Sequence, residues 1–352
     1  MDQQQPAIRH YAGLDVSLDS TAICVVDDEG RVVWRGKCPT EPKAIAETLA
    51  RRAPGLVRAG LETGQLSNWL PLALRRLRVP VTCLDARHAK AALALQVNKT
   101  DANDALGLAQ GVRTGWYREV AVKGMGAQEL RMLLIARAQL ISQRQALANS
   151  VRGLLKSFGL TVAPGSKAPF EARVRSAAEG NGALLAIVEP LLAAWHALRE
   201  QAAVLNGRIN ARAKTDDVAR RLMTIPGVGV VVALAYVAVI DDPGRFGRSS
   251  AVGAYLGLTP KRHQSGETDR AGGLSKCGDR LLRSYLYEAA NVLLTRHPRP
   301  NPITDWGQKL AARIGPRRAK VAVARKLSVV MHSIWRGGGE FRWDMSGASA
   351  AA

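Results

Sequence analysis

Cysteine and acidic residues are scarce in this sequence, and no apolar run in it is long. The 352 residues include four cysteines, at positions 24, 38, 83 and 277, and no two of them form a CxxC pair. This spacing argues against a zinc ribbon and against a disulfide framework, and it fits a reducing compartment. The first ten residues hold no apolar signal core, and the longest apolar run, residues 228–240, is too short to span a bilayer. We therefore expect a cytoplasmic protein with no membrane segment.

The shortage of acidic residues leaves a large positive charge. There are 29 Asp and Glu against 50 Lys and Arg, which gives a formal net charge of +21. Residues 1–125 carry 17 basic and 13 acidic side chains, whereas residues 126–352 carry 33 and 16. An excess of this size predicts a nucleic-acid partner, because Lys and Arg bind phosphates whatever the base sequence. A basic protein without such a partner is the alternative that charge alone leaves open.

The composition predicts a folded chain of two or three domains. With 47% hydrophobic and 22% charged residues, the chain can bury enough apolar surface to offset its conformational entropy. Residues 11–38 have the pattern of three short strands, and the segments up to about residue 120 then follow the order helix, strand, helix, strand, helix. This succession predicts an α/β domain with a mixed sheet.

Long helices are predicted after residue 120. Apolar residues recur every three or four positions over 127–158 and again over 184–219, where Pro190 can introduce a kink, and residues 159–167 separate the two stretches. Two such helices form either an antiparallel hairpin or an oligomerising coiled coil, and a helical linker packed on its own domain is the alternative. From residue 222 the patterns are mainly helical, with a glycine-rich stretch over 256–278 and a glycine-rich tail from 337.

Four acidic residues of the α/β domain have the spacing of a metal site. Asp15 lies in the first predicted strand, Glu62 ends a later strand, and Asp101 and Asp104 lie on one side of a helix start. Carboxylates this close repel one another unless a cation binds between them. Mg²⁺ prefers such oxygen ligands, and a pair of ions can hold the attacking and leaving oxygens of a phosphodiester. Taken singly, each residue has a simpler interpretation as a turn former or helix cap.

The strings that carry these residues are GLDVS, GLETG and NKTDANDALGLA. They resemble the RuvC-like, RNase H-type domain of the DEDD transposases of one bacterial insertion-sequence family, whose members are bridge-RNA-guided recombinases. The resemblance implies that Asp15, Glu62, Asp101 and Asp104 are catalytic carboxylates that bind Mg²⁺. Lys99 matches the basic residue of the family's KTD string, which implies a phosphate contact; a solvated lysine at a helix end is the alternative.

A serine in the glycine-rich stretch is the candidate nucleophile. Ser265 precedes Gly266, and a glycine at that position lets the backbone turn tightly and expose the hydroxyl. A serine hydroxyl needs a base, a metal or a cationic field to become nucleophilic, and on these residues alone a loop serine is the simpler interpretation. The strings YLGLTP, QSG and GLSKCGDRLLR resemble the C-terminal transposase domain of the same family. That resemblance implies that Ser265 attacks a DNA phosphodiester and forms a covalent phosphoserine intermediate, with Ser275 ranked second.

Nearby basic residues and glycines are candidates for nucleic-acid binding. The predicted phosphate contacts are Lys261, Arg262, Lys276, Arg280 and Arg283. For the last three, the alternative is the solvated face of an amphipathic helix. Residues 225–229, IPGVG, resemble a helix-hairpin-helix, in which Gly227 and Gly229 let backbone amides approach a phosphate. A glycine turn between two buried helices would have the same sequence.

Together these patterns and resemblances predict four regions. They are an α/β RNase H/RuvC-like N-terminal domain (1–122), a long helical coiled-coil region for oligomerisation (123–220), a mainly α transposase domain with a helix-hairpin-helix-like motif (221–336) and a flexible tail (337–352). The resemblance covers about residues 10–335 and is weak in the helical middle.

The function implied by the resemblance is that of a Mg²⁺-dependent DNA recombinase of an insertion sequence. Its partners would be donor DNA, target DNA, a guide RNA, and further copies of the chain that assemble from dimers into a tetramer. Two alternatives stay open at this stage. One is a RuvC-like junction nuclease without a covalent intermediate, and the other is a non-catalytic nucleic-acid-binding protein.

Overall fold

Alternating short strands and helices build the N-terminal part of the protein. The computed structural model describes residues 8–93, 100–162, 168–266, 268–296 and 301–343. Lys99 lies outside the described residues. The chain divides into two compact units, Met1–Gly124 and Met125–Ala352.

The first unit contains a five-stranded mixed sheet. Its strands are β1 (His10–Val16), β2 (Ser20–Val26), β3 (Val32–Pro39), β4 (Leu56–Glu62) and β5 (Val81–Leu84), in the order β3-β2-β1-β4-β5. Short turns join β1 to β2 and β2 to β3, and these pairs are antiparallel. The β1/β4 and β4/β5 pairs are parallel, because helices α1 (Pro42–Arg52) and α2 (Leu70–Arg76) form the connections that lead into β4 and β5. The predicted mixed α/β sheet is confirmed.

Helices cover both faces of this sheet. Along β1 the side chains alternate, so Leu14 packs in one core cluster with Leu49 of α1 and Leu74 of α2, whereas Tyr11 belongs to the cluster on the opposite face. Helices α3 (Ala86–Leu93) and α4 (Asp101–Thr114) cover that second face, where Leu108 of α4 is buried.

Helix α4 lies very close to β1. It begins at the N-cap Thr100, whose side chain accepts a hydrogen bond from the amide of Asn103. A Cβ on Gly13 would lie 1.9 Å from the carbonyl oxygen of Ala105 and 2.5 Å from the amide nitrogen of Ala109. Only glycine permits this approach, so the Gly13 contact fixes the second and third turns of α4 against β1.

The second unit is mainly helical. Its helices are α5 (Met125–Lys156), α6 (Phe170–Ala177), α7 (Gly182–Thr215), α8 (Asp217–Leu222), α9 (Val230–Ile240), α10 (Ala251–Tyr255), α11 (Arg280–Thr295), α12 (Pro302–Ile314) and α13 (Pro316–Gly337), and its strands are β6 (Pro260–Ser265) and β7 (Thr268–Leu274). Helix α9 is apolar on nearly every side, as expected of a helix buried in a core. The buried hydroxyl of Tyr236 in α9 donates to the carbonyl oxygen of Ser328 in α13 over 2.7 Å.

The two long helices of this unit pack antiparallel on each other. Leu134, near the start of α5, shares a core cluster with Ile209, near the end of α7, whereas Val151, near the end of α5, packs with Val188, near the start of α7. By length and composition α7 is apolar enough to cross a membrane, although a single helix of this kind is a weak indication. Its buried residues pack on protein, so within this fold α7 is one arm of a helical hairpin.

Two elements differ from the sequence prediction. The second long helix ends at Thr215 rather than at 219, because the side chain of Asp216 accepts a hydrogen bond from the amide of Ala219 and starts α8. The glycine-rich stretch, to which the sequence pattern assigned no strand, contains the β6–β7 hairpin. Every residue of β6 is exposed, so the alternation of apolar and polar residues that marks a half-buried strand is missing.

Candidate active site

Asp15 and Glu62 lie side by side on neighbouring parallel strands. Leu14 of β1 pairs with Leu61 of β4, so the residues that follow them, Asp15 and Glu62, occupy neighbouring positions at the carboxyl ends of the two strands. Adjacent strands are about 4.8 Å apart. Both residues are half-buried. Two negative charges are therefore concentrated at one edge of the sheet.

The position of Asp15 in the sheet connects it, through neighbouring strands, with a lysine. Asp15 pairs with Ala22 of β2, and Ala22 pairs with Lys37 of β3. Residues opposite each other in a sheet point to the same face, and Ala22 shares a core cluster with Ala105 of α4. The row formed by Glu62, Asp15, Ala22 and Lys37, which we call the carboxylate row, thus faces α4.

Helix α4 adds two acidic residues to this face. Asp101 and Asp104 lie in its first turn. The Nζ of Lys37 is 2.7 Å from Oδ2 of Asp101. This hydrogen bond raises the pKa of the Lys37 ammonium above its ordinary value, and the negative charges of Asp101 and Asp15 add to the effect. Lys37 therefore connects a carboxylate on α4 electrostatically with one on β1.

Sequence reasoning did not identify Lys37 as part of this site. The residue lies on β3, an edge strand with largely exposed side chains, and its place beside Asp15 depends on the register of two antiparallel pairs. Register is weakly specified where a strand has no strict apolar alternation. Only the turn at residues 27–30 could have suggested the pairing, by fixing where β3 starts relative to β2.

The carboxylates can be tested for their fit to a metal ion. Within the described part of the chain, no three or more His, Cys, Asp or Glu side chains are grouped closely enough to hold one. The donor chemistry nevertheless suits a hard divalent cation, since all four acidic side chains offer carboxylate oxygens. The Lys37 ammonium, held by Asp101 and attracted by Asp15, shows that the face accepts positive charge. A metal ion there would compete with Lys37 for Asp101.

Ser265 occupies an exposed turn in the second unit. It ends β6 and pairs with Thr268 of β7, so it lies directly before the point where the hairpin reverses. Gly266 has φ +54°, in the left-handed region that glycine adopts without a Cβ penalty. Because Ser265 is exposed, the hairpin presents its side chain to solvent.

Ser275 has the opposite environment. Its Oγ is buried and has no hydrogen-bond partner among the residues that the structure describes. The backbone around it is tightly interlocked, since a Cβ on Gly257 would lie 2.1 Å from the carbonyl oxygen of Cys277. Of the two serines weighed as nucleophiles, Ser265 is the accessible one.

The predicted phosphate contacts divide into two groups. Arg262 forms an ion pair with Asp269 across the hairpin at 2.6 Å. Arg283 is half-buried, and its Nη1 donates to the carbonyl oxygens of Cys277 at 2.6 Å and Leu256 at 3.2 Å, so it braces the backbone beneath the hairpin. The other group is exposed and consists of Lys261, Lys276 and Arg280.

The glycine turn predicted at 225–229 lies between α8 and α9. Gly227 has φ +78°, and a Cβ there would lie 2.7 Å from the carbonyl oxygen of Ala289 in α11. Packing alone therefore requires glycine at 227. Gly229 is the N-cap of α9, and its built Cβ meets no atom within 4 Å. An approach of phosphate to this turn would have to occur at the open Gly229 side.

An ion pair that the sequence did not reveal supports the serine-bearing region. Oδ2 of Asp279 accepts hydrogen bonds from Nε and Nη2 of Arg131 on α5 at 3.0 and 2.9 Å. Oδ1 of Asp279 accepts from the amide of Leu282 and caps α11. An Asp before a helical pattern is a recognisable cap, but its partner 148 residues away leaves no local signal.

The fold and the acidic residues define a class of protein. The mixed sheet carries neighbouring carboxylates at the ends of two strands, a packed helix carries two more, and the C-terminal region is helical. This combination fits an RNase H-like DEDD transposase. Residues 12–159 match the family model of the DEDD transposases of the IS110 type, and residues 219–304 match that of the transposase IS116/IS110/IS902 family. The chain belongs to this family of insertion-sequence transposases.

Two similar transposases align with almost the whole chain. The protein is 30% identical over 330 residues to the transposase for insertion sequence element IS1111A of Coxiella burnetii, which covers 92% of this chain and 88% of that protein. It is 27% identical over 328 residues to a probable family 20 transposase of Pseudomonas aeruginosa, covering 92% and 95% of the two chains. The similarity therefore includes both units.

Proposed function

We propose that this transposase cleaves and rejoins DNA strands with Ser265 as its nucleophile, and that Asp15, Glu62, Asp101 and Asp104 bind Mg²⁺. The observation that carries the proposal is the exposure of Ser265 at the tip of the β6–β7 hairpin, in contrast to the buried Oγ of Ser275. A nucleophile must reach a phosphorus atom in the backbone of a large substrate, and a hairpin tip can do so.

The proposed reaction exchanges one phosphate ester for another. Oγ of Ser265 attacks the phosphorus of a DNA phosphodiester and loses its proton, while the bond from phosphorus to the 3′ oxygen breaks and that oxygen gains a proton. The products are a serine ester of the 5′ phosphate and a strand with a free 3′ hydroxyl. A 3′ hydroxyl of a different strand then attacks the phosphorus of the serine ester and loses its proton, while the bond from phosphorus to Oγ breaks and Ser265 regains a proton. Because each step conserves an ester bond, strand exchange requires no ATP.

The charges on the protein support binding of the phosphate backbone. Lys261, Lys276 and Arg280 are exposed close to Ser265 in the chain and would contact DNA phosphates. Arg283 and Arg262 would act indirectly, by holding the backbone and the hairpin in place. Mg²⁺ at the carboxylates would supply charge that stabilises the phosphate oxygens during strand cleavage.

Guidance by RNA and assembly of several copies belong to the same proposal. The second unit carries most of the net positive charge of +21, which suits binding of donor DNA, target DNA and a guide RNA through their backbones. Helices α5 and α7 would form the coiled-coil contacts between copies that build dimers and then a tetramer, and residues 225–229 would serve as a helix-hairpin-helix. The protein would act in the cytoplasm, at the nucleoid.

A strand-exchange assay tests the nucleophile. Purified protein is mixed with labelled donor and target DNA, guide RNA and Mg²⁺, and products are resolved on denaturing gels. We expect Ser265→Ala to abolish exchange. Ser275→Ala is the matched control, because it removes a buried hydroxyl that has no partner in the described part of the chain, and it should leave exchange intact. Asp15→Asn should also abolish exchange without changing the melting temperature by more than a few degrees. Full exchange by Ser265→Ala would overturn the assignment.

The same assay separates the proposal from the nuclease alternative. If Ser265→Ala still cleaves DNA but Asp15→Asn does not, water activated at the carboxylates is the nucleophile and the protein is a RuvC-like nuclease. RNA guidance is tested by comparing exchange with and without an RNA transcribed from the DNA that flanks the reading frame. Exchange that proceeds equally without that RNA would refute guidance and leave the serine chemistry untouched.

A further inference from the structure

Two aromatic residues after α4, Trp116 and Tyr117, form part of a surface that has no role in the proposed chemistry. Trp116 follows Gly115, the left-handed residue that ends α4. Its side chain is 60% exposed, although tryptophan is usually buried. The indole meets the imidazole of His88 on α3 in an edge-to-face contact, with ring centroids 5.5 Å apart and an angle of 64° between planes. The contact packs the exposed ring against a side chain of α3.

The base of this feature is apolar, and its margin is basic. Leu84, Ala89 and Leu108 line a small cavity of the first unit together with Trp116 and Arg118. Arg118 is exposed beside the tryptophan. This surface differs from a lone exposed tryptophan because it also contains the ring of Tyr117, the apolar side chains beneath it and two arginines. The second arginine is Arg58, which contacts Tyr117.

Tyr117 completes the surface. Its hydroxyl accepts a hydrogen bond from Nη1 of Arg58, and the guanidinium carbon of Arg58 lies 5.8 Å from the centre of the tyrosine ring. The acidic residue closest in the chain to His88 is Asp85, which is already paired with Arg87 at 3.6 Å. Cationic groups therefore flank the aromatic rings; of the two acidic residues nearby in the chain, Asp85 is paired with Arg87, and Glu119 is exposed directly after Arg118.

The feature lies next to the carboxylate row. Glu62 at the end of β4 pairs with Leu84 at the end of β5. Leu84 lines the Trp116 cavity, and α3 with His88 begins two residues further on. Adjacent strands are about 4.8 Å apart, so the rings lie within a few nucleotide lengths of Glu62.

We infer that Trp116, backed by His88, is a stacking platform for an unpaired nucleobase of a single strand that passes the carboxylate row. Every base has a π-face, so an exposed ring binds single strands without reading their sequence, and flanking arginines hold the phosphates on either side. A base inside a duplex is covered on both faces and cannot use the ring. The inference rests on the proposed function only in that a nucleic-acid strand reaches this edge of the sheet.

Equilibrium binding of labelled oligonucleotides to the full-length protein tests the platform. The probes are a thymidine dodecamer, a uridine dodecamer and a duplex of the same length. Loss of one base–aromatic stack should lower single-strand affinity about tenfold in Trp116→Leu, which keeps an apolar side chain but no ring. Trp116→Phe should keep most of the affinity, and duplex affinity should not change in either variant. Equal affinities of Trp116→Leu and the unmodified protein for both single strands would overturn the inference.

Trp306 supplies the matched control, since it is 42% exposed on α12 of the other unit. If Trp306→Leu lowers single-strand affinity as much as Trp116→Leu does, the effect is general and the platform is refuted. If Trp116→Leu lowers the affinity for both dodecamers, the site recognises the base in either nucleic acid. If it lowers the affinity for one dodecamer alone, the site is specific for the corresponding RNA or DNA strand.

Photocrosslinking of the unmodified protein does not depend on the folding of any variant. Oligonucleotides that carry 5-iodouracil should crosslink to the peptide with Trp116, and crosslinks that map exclusively elsewhere would contradict the platform. Failure of this inference is distinguishable from failure of the proposed function. Asp15→Asn should still crosslink at Trp116 while losing strand exchange. Unmodified protein that exchanges strands but crosslinks exclusively at other peptides would refute the platform and leave the proposed function standing.

Discussion

Replacing Gly13 by alanine should separate α4 from the sheet. The added methyl group would lie 1.9 Å from the carbonyl oxygen of Ala105, 2.5 Å from the amide nitrogen of Ala109 and 2.9 Å from Cβ of Leu108. Ordinary non-bonded contacts are about 3.5 Å, so the helix would have to move outward by roughly 1.5 Å. The obstructing atoms are mostly helix backbone, which cannot rotate away as a flexible side chain would.

The size of the effect follows from that displacement. Overpacking of a tight core typically costs about 1–3 kcal/mol. A gap of 0.5–1 Å already forfeits a quarter to a half of the van der Waals contact energy, so the buried residues of α4 would lose packing as well. We expect Gly13→Ala to lower the free energy of unfolding of the first unit by about 3 kcal/mol or more, a large fraction of the 5–15 kcal/mol of a typical domain.

Urea unfolding of the full-length protein, followed by circular dichroism, measures this loss. Gly153→Ala is the matched control, because its built Cβ meets no atom within 4 Å on helix α5. That change should stabilise α5 by roughly 0.5–1 kcal/mol. Since Asp101 and Asp104 lie on the displaced helix, Gly13→Ala should also lose strand exchange beyond the fraction that is unfolded. A Gly13→Ala protein within about 0.5 kcal/mol of the unmodified one would refute the close packing of α4 on β1.

Three further changes test separate contacts. The hydrogen bond to Glu171 and the charge of Glu200 raise the pKa of His196. The contribution of His196 to stability is therefore present at low pH and is lost as pH rises through that pKa. His196→Ala should destabilise the protein more at pH 5.5 than at pH 9. Gly227→Ala should cost about 2–3 kcal/mol, through its positive φ and its contact with α11, whereas Gly229→Ala should change stability by less than about 1 kcal/mol. Asp279→Ala should cost about 1–2 kcal/mol by removing the cap of α11, and Asp279→Asn, which can still cap, should cost less.

Urea midpoints of the same protein preparation check all three. A pH-independent effect of His196→Ala would contradict the His196–Glu171 interaction. Equal costs at the two glycines would contradict the tight contact of Gly227. An Asp279→Asn protein as unstable as Asp279→Ala would show that the ion pair with Arg131, rather than the cap, dominates.

Periodicity and turn residues were sufficient to predict the order of elements in the first unit. The three short strand patterns over 11–38 and the helical spacing that follows give this order, and the mixed sheet is confirmed. The approach of α4 to β1 was beyond such reasoning, because it depends on a missing Cβ at Gly13 and a partner some ninety residues away. Local patterns carry no information on which distant backbone a glycine will meet.

The candidate site was predicted in parts. The order of the four acidic residues suggested that they share a site, and the structure places Asp15 beside Glu62. Lys37 was not predicted, because strand register alone places it beside Asp15. The β6–β7 hairpin was not predicted either, because exposed strands lack the apolar face that identifies a strand in a sequence. Arg283 resembled a phosphate contact in the sequence, whereas in the fold its guanidinium binds backbone carbonyls. Long cationic side chains serve both purposes, and only their neighbours decide which.

The central claim is that strand cleavage leaves DNA covalently bound to Ser265. It is tested most directly by trapping the protein–DNA adduct under denaturing conditions, digesting the DNA and the protein, and locating the attached nucleotide by mass spectrometry. Cleavage after Arg262 and Arg270 yields a peptide over 263–270 that contains Ser265 and excludes Ser275. The account predicts a 5′-linked nucleotide on Ser265 in this peptide. A nucleotide on another residue, or cleaved DNA with a free 5′ phosphate and no adduct, would contradict it.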